Sequence, residues 1–197
     1  MTTLIFDTET TGLVSAKYDQ LHPKQPMPMQ IGLKLDDDER VERMAISLLI
    51  RPQNWSIESK ASEITGITDE LATKYGTEFI TAIELFLDSV SAADVIVAHN
   101  IVFDMTIMRR AYFVYCGMVG QHYSDPFAGK LVLCTMLASQ DIVKAPPYRN
   151  GKWKWPKLSE CIWYFWQENI EGAHDAFTDV RYAAKLYYHL LDTGVFK

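Results

Sequence analysis

Apolar and polar positions alternate along the chain in a way that predicts an ordered series of strands and helices. Residues 3 to 6, Thr-Leu-Ile-Phe, form a short apolar run that gives way at once to carboxylates, the pattern of a buried strand. After a loop rich in Pro and Met over residues 22 to 29, the run MQIGLKL and the stretch from Val41 to Ile50 read as two further strands. The acidic run Asp36 to Glu39 between them predicts the turn of an antiparallel hairpin. That run lacks the alternating D-x-D-x-D-G spacing of a calcium loop, so it reads as a solvated turn. Thr68, followed by Asp69 and Glu70, supplies a helix cap, and Ile80, Ile83, Phe86, Leu87 and Val90 recur at helical spacing over residues 77 to 90. ADVIVAH (93 to 99) is a buried-strand pattern ending in polar groups, followed by a helix through Asp104 to Tyr115. LVLCT (131 to 135) predicts another short strand, and helices are expected over about residues 157 to 168 and 176 to 191. The aromatic run IWYFW (162 to 166) reads as helix core. A strand hairpin followed by alternating strands and helices implies an α/β fold with a mixed sheet covered by helices.

Composition narrows this picture. A chain of 197 residues, 48% hydrophobic and 22% charged, suffices for one good-sized core, so a single domain over residues 1–197 is expected. The formal net charge of -6 argues against coating nucleic acid by electrostatics alone. It does not exclude an enzyme that cuts phosphodiesters, because metal-binding carboxylates add to the negative sum and bound cations reverse the local sign. Cys116, Cys134 and Cys161 are odd in number and form no CxxC pair, which predicts neither a disulfide framework nor a zinc site and fits a reducing, cytoplasmic compartment. The first strand begins too early for a targeting peptide ahead of it, and no apolar run approaches membrane-spanning length, so no membrane partner is expected.

Three short segments carry candidate chemistry. Asp7 and Glu9 sit two apart in IFDTET, so on an extended strand both carboxylates project from one face; the same pair also reads as solvated acids beyond a strand that has ended. In AHNIVFD an apolar strand gives out at His99 and Asn100 and a helix begins, with Asp104 in its first turn. Read alone, Asn100 is equally an N-cap and Asp104 a dipole-favoured acid at a helix start. In GAHDAFTD, His174 and Asp179 are five apart and can reach one point if Gly172 places His174 on a loop and Asp179 opens the following helix. A lone histidine before a helix also serves as a cap or surface residue.

In their order, FDTET, NIVFD and HDAFTD resemble the three motifs of the DEDDh (DnaQ-like) 3′ to 5′ exonucleases, the group that includes polymerase proofreading subunits, ribonuclease T and oligoribonuclease. The resemblance runs from residue 6 to residue 179. It implies a ribonuclease H-like fold, a mixed five-stranded sheet with three antiparallel strands and then two parallel ones. It further implies that Asp7, Glu9, Asp104 and Asp179 bind two Mg²⁺ or Mn²⁺ ions, about 3.5 to 4 Å apart, and that His174 is the general base. The products would be nucleoside 5′-monophosphates cut from a single-stranded or frayed 3′ end. By the same resemblance, the backbone at Thr10 receives the terminal hydroxyl, Leu13 packs on the last bases, Phe103 helps wall the pocket of the terminal nucleotide, and His99 and Asn100 are further substrate-binding candidates. Core packing is an equal reading for Leu13 and the stronger one for Phe103. Single-stranded DNA is the favoured partner over RNA, with a second copy of the chain or a polymerase acting in trans as further partners. Competing readings are an endonuclease on the same scaffold and a noncatalytic nucleic-acid-binding module.

YRNGKWKWPK (148 to 157) sets Arg149, Lys152, Lys154 and Lys157 among Trp153 and Trp155, the mixture used to track a phosphate backbone and stack bases; a tryptophan packed beneath a solvated loop is the plainer alternative. Replacing Lys152 and Lys154 with Ala should weaken oligonucleotide binding and flatten its salt dependence. Unchanged affinity at low and moderate salt excludes the role.

Overall fold

The computed structural model describes residues 1–196, and Lys197, the last residue of the expected domain, lies outside them. Strands β1 (Thr3–Thr10), β2 (Pro28–Asp36), β3 (Glu42–Leu49), β4 (Val95–Ala98) and β5 (Leu131–Cys134) form one sheet in the order β3-β2-β1-β4-β5. β1, β2 and β3 pair antiparallel, whereas β4 joins β1 and β5 joins β4 in parallel. Helices α1 (Ser59–Thr65), α2 (Asp69–Tyr75) and α3 (Phe79–Ala92) precede β4. After it come α4 (Ile101–Val119), α5 (Thr135–Val143), a small hairpin of β6 (Tyr148–Arg149) and β7 (Lys152–Trp153), then α6 (Leu158–Trp166) and α7 (Ala176–Asp192). The mixed five-stranded sheet flanked by helices matches the architecture read from the sequence.

Side-chain parity on β1 divides the core between the two faces. Leu4 and Phe6 point toward α3 and α4, where they pack with Ile83, Phe86 and Met108. Ile5 points the other way, into a cluster with Val180, Ala183, Ala184 and Tyr187 of α7. Asp7 and Glu9 continue the parity of Ile5, so both carboxylates emerge on the α7 side. The strand does not stop at Phe6, as its apolar run suggested, because β2 continues to pair with it through Asp7↔Gly32 and Glu9↔Gln30. Backbone pairing to a neighbour outlasts the hydrophobic pattern.

The acidic hairpin departs from its expected solvated state at one position. Asp36 is fully buried, paired with Lys34 and accepting a 2.6 Å bond from the Tyr188 hydroxyl of α7, while Asp37 makes the turn by accepting from the amides of Glu39 and Val41. The IWYFW run also needs correction. α6 buries Cys161 and Ile162 against α7, but Trp163 and Tyr164 are about half exposed, since a helix lying on a surface can bury only one stripe. No helix among the described residues is long and apolar enough to cross a membrane.

Gly32 decides how closely α7 approaches the sheet. A β-carbon there would stand 2.6 Å from the carbonyl carbon of Ala176 and 2.9 Å from the amide nitrogen of Phe177, both backbone atoms that cannot swing aside. Gly32→Ala should therefore destabilise the fold by roughly 1 to 3 kcal/mol in denaturant unfolding, by pushing the start of α7 away from β2. Wild-type stability in that variant would show that the contact is not tight.

Candidate active site

β1 lies where the sheet changes character, with an antiparallel neighbour on one side and a shorter parallel one on the other. Beyond Ile5 it has outrun its pairing with β4, so its later amides on that side need other acceptors. Asp104 fills this role. Its Oδ1 accepts from the Thr8 amide at 3.0 Å and the Thr8 hydroxyl at 2.7 Å, which fixes a carboxylate only 2% exposed at the end of the sheet. The N-cap of α4, Asn100, adopts a left-handed conformation (φ 70°), and its side chain makes no capping bond.

α7 supplies the other half of the site. Asp175 caps the helix by accepting from the amide and hydroxyl of Thr178, each at 3.0 Å. The Gln30 side chain on β2 donates to Asp175 at 2.7 Å and accepts from the Ala176 amide at 3.1 Å, pinning the helix start to the sheet. Asp179 then falls in the first turn of α7, facing the β1 acids. His174 precedes the helix in a left-handed conformation (φ 68°), exposed, with its amide donating to Asp179 at 3.3 Å. One ligand atom each from Glu9, His174 and Asp179 lie within 4.8 Å of one another.

This crowding is written into the acidities. Burial, and then Asp104, Asp179, Glu9 and Asp175 in turn, raise the Asp7 pKa well above the ordinary carboxylate range. Burial, with Asp179 and Asp175, lifts Glu9 to about 7. Burial also raises Asp104 against the opposing pull of its bonds from Thr8, and raises Asp179 against the His174 amide. Among the described residues none of these carboxylates is in an ion pair with Lys or Arg. Hard oxygen donors held together without a protein cation are the donor set that divalent metal ions require, and Asp7, Glu9, Asp104 and Asp179 could hold them.

The other sequence candidates are placed unevenly. Thr10 ends β1 with its hydroxyl donating to the Gly12 carbonyl at 2.7 Å, and Leu13 just beyond is 84% exposed. Asn100 and Phe103 line a cleft beside the first turn of α4. His99 does not reach that cleft through its ring nitrogens. Nε2 lies 3.0 Å from the Pro156 carbonyl, which can only accept, so Nε2 carries the proton and Nδ1 accepts from the Thr135 hydroxyl, also at 3.0 Å. Burial holds His99 neutral, with its pKa lowered to about 4. Lys152 is exposed on β7, Trp153 packs against Tyr148, and Lys154 pairs with Glu160 at 2.6 Å. Sequence reasoning missed Thr8, Gln30, Gly32 and Asp175. Thr8 lies between the two acids and Asp175 beside His174, so both were within reach of a closer reading, but Gln30 meets a partner 145 residues away and leaves no local signal.

Comparison with known proteins places this geometry. The structure of Escherichia coli Exonuclease I in complex with a dT13 oligonucleotide matches with a TM-score of 0.73 at 18% identity, over 96% of this chain and 40% of that one. A moderately thermophilic Exonuclease I from Methylocaldum szegediense matches with a TM-score of 0.72 at 20% identity, over 98% and 41%. The zinc-bound form of the E. coli Exonuclease I complex with single-stranded DNA matches with a TM-score of 0.71 at 19% identity, over 98% and 41%. The chain thus spans about two fifths of the length of these proteins, and at such identities the likeness is one of fold. A search of curated protein sequences finds no match. The RNase T family model, described as Exonuclease, matches residues 4–187, a span holding all three acidic segments. From the core of β1 to the body of α7, the chain belongs to the RNase T exonuclease family.

Proposed function

We propose that the chain is a 3′ to 5′ exonuclease that hydrolyses single-stranded or frayed ends, single-stranded DNA in preference to RNA, to nucleoside 5′-monophosphates. The observation that carries this reading is the convergence of Asp7, Glu9, Asp104 and Asp179 with His174 at one end of the sheet, from β1, α4, α7 and the turn before it. The oligonucleotides bound to the Exonuclease I structures favour DNA as the substrate class.

Asp7, Glu9, Asp104 and Asp179 would hold two Mg²⁺ ions, with Mn²⁺ able to substitute. Bound there, such ions supply Lewis acidity toward phosphoryl oxygens and offset charge on the leaving 3′ oxygen. The protein's own groups do the rest. His174, exposed beside Glu9 and Asp179, takes the proton of the attacking water at a ring nitrogen. Thr8 fixes Asp104, and Gln30 fixes the turn that carries His174, so the acids and the base keep their spacing through turnover. The Thr10 backbone would receive the terminal hydroxyl, and the exposed Leu13 would pack on the last bases.

In Mg²⁺ the purified protein should shorten a 5′-labelled single strand stepwise and stall on a 3′-blocked one, with matched RNA degraded more slowly. Asp7→Ala should abolish cleavage, and His174→Ala should slow it by about 10²- to 10⁴-fold, the size of a lost general base. Full activity in both variants would remove the site assignment.

A second expectation follows from proton linkage. Glu9 binds its proton up to about pH 7 in the folded protein but ordinarily only to 4.5, so without metal its contribution to stability declines as pH rises across that window. His99, near 4 when folded against an ordinary 6.5, acts with the opposite sign over much of the same range. Thermal unfolding in EDTA should therefore be compared with Glu9→Gln. The variant should gain stability relative to wild type at pH 8 and not at pH 4.5, and Mg²⁺ should raise the wild-type Tm more than that of the variant. A pH-independent difference between the two proteins would contradict the assigned shift.

A further inference from the structure

Arg109 and Arg110 are neighbours on α4, and the fold treats them differently. Arg109 is committed to Asp125, to which its Nε and a terminal nitrogen donate at 3.1 and 2.9 Å. Arg110 is in no ion pair among the described residues, and its Nε is buried without an acceptor. Burial pulls its pKa down, and only the charge of Asp19 pulls the other way. A partly desolvated guanidinium without a full counter-charge attracts an anion more strongly than one free in water. We propose that Arg110 is a phosphate-binding residue for the single-stranded substrate, gripping one phosphodiester on the 5′ side of the nucleotides held at the acids. The inference rests on the exonuclease reading and extends it to a residue outside the three acidic segments and outside the cleft at the start of α4.

Helix geometry puts Arg110 on the substrate's side of α4. Phe103 and Thr106 both line the cleft beside the first turn. Arg110 follows them by seven and four residues, so the three share one stripe of the helix, and its guanidinium lies 6.0 Å from the centre of the exposed Phe113 ring further along that stripe. Seven residues carry the stripe about 10 Å from Phe103 along the helix axis, away from Asp104 and its acid partners. A strand whose 3′ end is held at the acids has its remaining phosphates on the 5′ side, so a cation two turns along the same stripe meets the backbone and not the terminus.

The segment between β1 and β2 lies across from this stripe. Val14 forms part of the cleft wall, and Asp19 is near enough for Arg110 to feel its charge. One buried side chain staples the segment. Gln25 accepts from the Ser15 amide at 2.9 Å and donates to the carbonyls of Ser15 and Tyr18 at 2.9 and 3.1 Å. Lys17 and Lys24, exposed on the same segment, are in no ion pair among the described residues and add cationic charge to it. The ligand class follows from the donor: a planar guanidinium offers parallel N–H groups that match two oxygens of one phosphate, a contact that works at short range whatever the sign of the net charge.

The test uses the full chain in Mg²⁺ with 5′-labelled DNA strands in which one neutral methylphosphonate linkage is moved stepwise from the 3′ end. For the wild type, KM should rise about 5- to 20-fold when the neutral linkage falls at one position on the 5′ side of the scissile bond, the span expected for loss of one charged hydrogen-bonded contact. Arg110→Gln should raise KM on the unmodified strand by a similar factor and show no further penalty at that position. It should also flatten the plot of log kcat/KM against log salt by about 0.7, the share of one phosphate on a single strand. Arg110→Lys, which keeps the charge, should keep the wild-type slope. Wild-type cleavage combined with an unchanged salt slope in Arg110→Gln, or with an undiminished methylphosphonate penalty in that variant, overturns the phosphate contact alone. If the wild type cleaves no strand, the exonuclease reading falls and the contact with it.

Discussion

Mutual repulsion among buried carboxylates is the constraint around which this end of the molecule is built. Asp7, Glu9, Asp104 and Asp179 are raised in pKa by burial and by their neighbours, and none is relieved by a lysine or arginine among the described residues. Left to itself such a cluster would spread, since each separation lowers the Coulomb energy and restores hydration. It does not spread because each acid is fixed by something stronger than the repulsion it feels. The β1 acids are held by strand pairing to β2, Asp104 by two bonds from Thr8, and Asp179 by a helix capped through Asp175 and clamped through Gln30. The fold stores the electrostatic cost, and a divalent cation held by these carboxylates would release it.

The strand order makes that arrangement attainable. Because β1 is flanked by β2 on one side and by a shorter parallel strand on the other, its final residues have no strand partner on the β4 side, and Thr8 directs two donors at Asp104 of α4. On the opposite face, the missing side chain at Gly32 lets α7 settle onto the sheet so that its first turn lies over the β1 acids. Acids from both faces of the sheet can meet only at its end, past the last residue of β4. The position of the site is thus a consequence of unequal strand lengths as much as of the acids themselves.

What the sequence made legible follows from the range of the interactions involved. β1 to β5, α3, α4, α6 and α7 announce themselves through hydrophobic periodicity, a local property, whereas Asp7, Glu9, Asp104, His174 and Asp179 stand out only through the resemblance of their three segments, in order, to the family motifs, since each alone reads as well as a surface acid or a cap. α1 and α5 were not anticipated, because they are short and carry few buried apolar residues of their own. The β6 and β7 hairpin had a readable turn at Asn150 and Gly151, obscured by the charge and aromatic content around it. Asp36 was misread since its partner, Tyr188, lies 152 residues away, and nothing nearby marks a buried acid. The contrast between Trp153, packed on Tyr148, and Trp155, open to solvent, depends on anchors at Ala145, Glu160 and His99 that adjacent positions in sequence cannot reveal.

Were this acidic chain to act on a polyanion, as proposed, it would face a problem of approach as well as of chemistry. With a net charge of -6, long-range attraction to nucleic acid is absent, and the carboxylate end of the sheet is the worst place for a phosphate until cations occupy it. Affinity must then come from contacts that do not depend on overall charge. Exposed apolar surface next to the acids, at Leu13, Val102, Leu137 and Trp155, offers that kind of contact, because stacking and burial of a base are nearly indifferent to the sign of the protein's field. If the proposed function holds, cations bound by the carboxylates would supply the charge that a phosphate needs, and apolar contacts would supply a grip that the protein's net charge denies.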